Sequence, residues 1–136
     1  MTLLKLKRFA LSVIVVATGT VALATSLTPA SYIDIELRIR QLTVDGMEQR
    51  HFLLKLQNKD SVEDQQDLDA ETVSVVDDVF RDYGTNAGKH AAYGTQNVEA
   101  IEKYLIDNPT IKQQLESIDV EFERLSSLIS AELGNN

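Results

Sequence analysis

The chain has no cysteine and no tryptophan, only two prolines, and aromatic residues at just 6% of its 136 positions. Without cysteine there can be no disulfide and no thiolate ligand, so stability has to come from packing alone. Few aromatic platforms and few turn signals exclude the usual carbohydrate-binding β-sandwich and favour a helical chain. Basic residues number 13 against 21 acidic ones, giving a net charge of −8. That balance lacks the basic footprint that nucleic acid or an anionic lipid surface requires.

What is present begins with a segment that reads as an export signal. Lys5, Lys7 and Arg8 form a basic start, Phe9 to Thr18 is an apolar core, Gly19 breaks it, and Ala22-Leu23-Ala24 has the small-x-small pattern of a cleavage site. No cysteine follows, so this is not a lipoprotein signal. Cleavage after Ala24 would leave 112 residues and, with three basic and no acidic residues removed, a net charge of −11. The alternative is an uncleaved anchor reaching to about residue 31, since 25 uncharged residues run from Phe9 to Ile33 and about 20 apolar residues span a bilayer. Both readings put the remainder outside the cytoplasm. The expected location is periplasmic or secreted, or inner-membrane anchored with the domain outside.

Residues 32–133 are expected to form one all-α domain of three or four helices, with 134–136 a short tail. Its clearest element follows Asn108-Pro109, a capping residue and a favoured first helical position. Ile111, Leu115, Ile118, Phe122, Leu125 and Ile129 then recur at steps of four and three, an apolar seam on a long helix that needs partners. A second helix is predicted over 61–83. Ser61 and Asp64 make a cap-like pair, and Leu68, Val73, Val76, Val79, Phe80 and Tyr83 form its apolar face. A shorter helix is predicted over 97–107. Tyr83-Gly84-Thr85-Asn86 and Tyr93-Gly94-Thr95-Gln96 echo one another around one short turn of helix, each glycine placed to end a helix and each threonine to start the next.

Residues 32–57 admit two readings. As a hairpin around Asp45-Gly46, Ile39 would face Phe52 and Leu37 would face Leu54, giving an α+β fold. As a helix, Ile35, Ile39, Leu42, Gly46, Gln49, Leu53 and Leu56 keep a four-three spacing. A lone hairpin has little stability and no third strand is on offer, so helix is the expectation.

Tests for chemistry fail. Gly84 to His90 is one residue short of a phosphate loop and lacks its Ser or Thr. Asp67-x-Asp69-x-Glu71 starts like a calcium loop, but Thr72 stands where glycine is needed. His51 and His90 are far apart in sequence with no cysteine to help them, so no metal or haem site is expected. No serine sits on a strand-turn-helix elbow. No enzyme and no cofactor are expected.

Glu48-x-Arg50-His51-Phe52-Leu53-Leu54 on the first helix, the polar break Asn58-Lys59-Asp60, and Asp107-Asn108-Pro109 before a long heptad helix form one more pattern. Together, after an apolar membrane segment, they make residues 32–133 resemble the all-helical, four-helix-bundle sensory domains of bacterial chemoreceptors and sensor kinases. Ligands in such bundles sit between helices and carboxylates meet arginines. The resemblance therefore implies Arg38, Arg40 and Arg50 as ligand-binding candidates, with a small-molecule ligand and a membrane receptor or kinase as partner. The function expected is that of an exported binding module, sensor-like and non-catalytic. The alternative is a structural or interaction protein that completes its bundle through the Ile111–Ile129 seam, with a partner chain or with itself.

Overall fold

The computed structural model of the protein describes residues 26–57 and 62–134. The predicted signal segment, the Asn58-Lys59-Asp60 break, the Ser61 cap and the last two residues of the tail lie outside the described residues. Among those described, all regular structure is helical: α1 (Pro29–Gln57), α2 (Val62–Asp82), α3 (Ala87–Gln96), α4 (Val98–Asp107) and α5 (Pro109–Gly134). No described helix is long and apolar enough to cross a membrane.

The hairpin alternative is overturned, because 32–57 lies within one helix. Ile39 packs toward Phe80 rather than opposite Phe52, which is 61% exposed. The physical reason is supply: helices flank this segment on two sides, whereas no described strand is available to extend a hairpin. Its start at Pro29 lies three residues before the expected segment 32–57. Thr28 and Ser31 cap it reciprocally, Thr28 N–H donating to Ser31 Oγ at 2.8 Å and Ser31 N–H to Thr28 Oγ1 at 3.1 Å. Pro29 takes the first helical position, where its missing N–H is no loss.

α1 is the central helix. Ile35 (0% exposed), with Ile39 and Leu42, packs against Val76, Val79 and Phe80 of α2. At about 3.6 residues per turn, residues 33, 37, 40 and 44 lie roughly half a turn away from that stripe. There Ile33 and Leu37 pack with Ile101 of α4 and Leu115 of α5. A helix buried on two sides needs apolar residues on two sides. The single four-three stripe expected for α1 therefore accounts for only half its packing, and Gln49 at its end is exposed.

Contacts set the directions. Ile35 meets α2 near Val79 while Gly46 meets Thr72, so α2 runs antiparallel to α1. Ile33 meets Leu115 while Arg40 reaches Asp119, so α5 runs parallel. α1 lies along the predicted seam of α5: Leu115, Leu125 and Ile129 are buried and Ile111, Ile118 and Phe122 half-buried. α3 and α4 pack on the N-terminal part of α1, through Tyr32, Ile33 and Leu37. On α2 the expected face narrows to Val76, Val79 and Phe80, with Tyr83 just past the helix end, and Val73 is 42% exposed.

The paired glycines diverge in role. Gly84 has φ 62° and closes α2, with its N–H on Arg81 O and Thr85 N–H on Phe80 O. Gly94 ends nothing and lies inside α3. Nor does threonine open α3. Asn86 caps it by accepting from Lys89 N–H at 2.9 Å.

Gly46 gives a sensitive test of the packing of α1. A Cβ there would lie 3.2 Å from Thr72 Oγ1, a hydroxyl already donating to Leu68 O. Gly46→Ala is therefore expected to gain less than the ~1 kcal/mol of helix propensity. Thr72→Ala removes the obstacle, so the double variant should recover the full gain in a denaturant melt. A larger gain from Gly46→Ala alone would show that the α1–α2 contact is looser than described.

Candidate functional site

Two features stand out on α1, on different flanks. The first is a polar cluster. Tyr32, Glu36 and Arg40 recur every four residues, which aligns them along one flank of the helix. Arg40 Nε donates to Glu36 Oε2 at 3.2 Å and its Nη1 to Asp119 Oδ1 of α5 at 2.5 Å. Burial pulls the Arg40 pKa down, but Glu36 and Asp119 outweigh it and leave the pKa raised.

His90 completes the cluster from α3. It is 5% exposed, the one buried polar or charged residue among those described. Its ring stacks on Tyr32 at 4.3 Å and 12°, and Phe80 of α2 lies 5.5 Å away, tilted. Nε2 lies 3.3 Å from Tyr32 O and Nδ1 3.6 Å from Glu36 Oε1. Burial lowers the His90 pKa, against the opposing pull of Glu36 and the Tyr32 carbonyl. Beside the ring, α3 passes so close to α1 that a Cβ on Gly94 would overlap the Tyr32 ring, 2.8 Å from Cζ. This closeness explains why glycine stands inside a helix here.

The cluster can hold or release a proton, but it offers little to a substrate. One face of the imidazole is covered by Tyr32, Phe80 lies tilted against the ring, and Glu36 Oε2 is engaged by Arg40. Arg40 would also repel a metal ion from these carboxylates. Among the described residues, no group of three or more His, Asp or Glu side chains gathers as a metal site.

The second feature is a shallow groove of about 410 Å³ between α1 and α5, lined by Leu37, Arg38, Gln41, Gln114, Ser117 and Ile118. Leu37 and Ile118 supply its apolar part, and Gln114 and Ser117 are exposed beside it. Positions 45, 48 and 52 continue the Arg38–Gln41 flank at steps of four and three, ending at exposed Phe52. On α5, positions 121, 124 and 128 continue from 114 and 117, and Arg124 pairs with Glu121.

The three arginines singled out in the sequence do not converge. Arg38 borders the groove, but its Nε lies 3.6 Å from Asp34 and its guanidinium sits 5.3 Å over the Tyr83 ring, whose hydroxyl donates to the same Asp34. Arg40 is committed to the cluster. Arg50 lies about three turns further along α1 and is half-buried. Tyr32, Glu36 and Asp119 are not singled out by the sequence, and His90 is weighed there only as a phosphate-loop position and a metal or haem ligand. Tyr32, Glu36 and Arg40 were visible as an i, i+4 ladder, but Arg40 and Asp119 are 79 residues apart and Tyr32 and His90 are 58 apart. Nothing local announces such pairings.

Compared with protein-family models, curated proteins and solved structures, the chain matches none.

Proposed function

We propose that this protein is an exported, non-catalytic helical binding module that receives a segment of a partner in the groove between α1 and α5. The observation that carries this reading is the groove itself, an apolar floor at Leu37 and Ile118 with amides and a hydroxyl around it, open to solvent. Amphipathic partner segments dock on such surfaces through apolar anchors with a polar rim. The signal-like start of the chain supports export, and a membrane receptor or sensor kinase is the partner class in keeping with the sensory-domain resemblance.

Recognition of a small carboxylate by the arginines has less support, because a ligand would have to displace Asp34 from Arg38 or Glu36 and Asp119 from Arg40. Self-association through the α5 seam has less support too, since α1 already occupies it.

A photo-crosslinking residue placed at Gln41 or Ser117 is expected to give a discrete adduct in the exporting cell. At Val98, 46% exposed on α4, it should give none. Equal adducts at all three positions, or none in the groove of a folded and exported protein, overturn the proposal.

A further inference from the structure

A helix of ten residues such as α3 is too short to be stable alone in water, so its docking on α1 decides whether it stays folded. The described attachments centre on His90 and Tyr32. They include the His90 ring stacked on Tyr32 and touching Phe80, the contacts of its two nitrogens, the close approach of Gly94 to Tyr32, and the packing of Tyr93 and Ala87 at cluster edges. On either side the connections to the neighbouring helices are short. A left-handed Gly84 precedes α3, and the single residue Asn97 separates it from α4.

We infer that His90 is a proton-operated latch, holding α3 on α1 while its imidazole is neutral and loosening α3 when the medium acidifies. In the neutral tautomer that suits the site, Nε2–H donates to Tyr32 O at 3.3 Å, and Nδ1 faces Glu36 at 3.6 Å, beyond good hydrogen-bond distance. Protonation adds a full charge to a 5% exposed ring stacked on Tyr32 and packed against Phe80. Burying a charge is costly unless a counter-charge is free to pair with it. Here the nearest candidate, Glu36, is shared: its Oε2 accepts from Arg40 at 3.2 Å, and its Oε1 stands 3.6 Å from Nδ1 and offsets the burial cost only in part.

The other charges around the ring do not relieve this. Asp119 of α5 is 45% exposed and turned to Arg40. α2 presents the uncharged Phe80. Glu99, Glu102 and Lys103 of α4, and Lys89 of α3 itself, are exposed. Burial accordingly lowers the pKa of His90 in the docked state, whereas a released imidazole returns to about 6.5. The released form then binds the proton more readily. Docking is therefore favoured above about pH 6.5 and weakens as pH falls from there toward the docked pKa. For a protein outside the cytoplasm, the pH of the medium is the relevant signal. Release would uncover Tyr32 and Phe80, which His90 now covers.

Two measurements on the full chain test the latch. In a His51→Gln background, the only remaining imidazole NMR signal belongs to His90, and it is expected to titrate below about 6.5. Hydrogen exchange of α3, corrected for intrinsic rates, is expected to quicken up to about tenfold for each pH unit between 6.5 and the His90 pKa, with α5 still protected. His90→Gln should abolish that dependence. Titration of His90 at or above 6.5 overturns the inference, even if His90→Gln does not fold. So does simultaneous loosening of α3 and α5, or a His90→Gln protein that keeps the same pH response.

Discussion

Gly94→Ala is expected to destabilise the protein by about 1–2 kcal/mol, although alanine is the better helix former by about 1 kcal/mol. The new Cβ would overlap Tyr32 at its hydroxyl and at Cζ and Cε2. The ring cannot simply swing aside, because it is stacked on His90 and packed on Tyr93 at 5.6 Å. Overpacking of this kind costs about 1–3 kcal/mol and outweighs the propensity gain. Gly88 in the same helix provides the control. Its Cβ would meet only Asn86 Oδ1, at an ordinary 3.4 Å, so Gly88→Ala should be neutral or stabilising by less than about 1 kcal/mol. Tyr32→Leu combined with Gly94→Ala should recover part of the loss in a double-mutant cycle. Equal and favourable effects at both glycines would show that α3 does not approach α1 as closely as described.

Arg40→Met should have an effect of similar size, about 1–3 kcal/mol of lost stability, by leaving Glu36 and Asp119 without their shared cation. The loss falls below the usual cost of breaking a buried pair because Asp119 is 45% exposed and can be rehydrated. Glu36→Gln added to Arg40→Met should restore part of the stability, since it removes the more buried of the two orphaned charges. Arg40→Met also has a consequence at His90. Glu36, released from the guanidinium, becomes a fuller counter-charge 3.6 Å from Nδ1, so the His90 titration should move upward. Denaturant midpoints and the imidazole NMR titration read the two effects separately. An unchanged midpoint with an unchanged titration would mean that the cluster carries no coupling between α1, α3 and α5.

The helices themselves were legible in the sequence. Asn108-Pro109 and the four-three recurrence from Ile111 to Ile129 specify α5 almost to the residue, because capping chemistry and a 3.6-residue period act over a few neighbours. The same local logic marked Gly84 as the end of α2. It faltered where a residue's partner is remote. Gly94 looks like a second helix stop because its tetrapeptide echoes that of Gly84, but its role is set by Tyr32 of another helix. The hairpin alternative at 32–57 persisted in the sequence because Ile33, Ile35, Leu37 and Ile39 alternate. That alternation reflects burial of α1 on two nearly opposite sides, against α2 and against α4 and α5.

The candidate site was hardly legible at all. Arg38, Arg40 and Arg50 share a helix and a charge, yet lie on different flanks and at different depths, and a list of positions cannot distinguish them. By itself the sequence determined an acidic, cysteine-free, helical chain with a signal-like start, since composition, capping and periodicity are properties of residues and their near neighbours. Only the tertiary structure decided that α1 is central, that His90 stacks on Tyr32 and packs against Phe80, and that Glu36 bonds Arg40 through one oxygen and faces the imidazole with the other. Those outcomes depend on which helices meet and in which direction, and the energies that select them arise from burial and charge pairing across dozens of intervening residues.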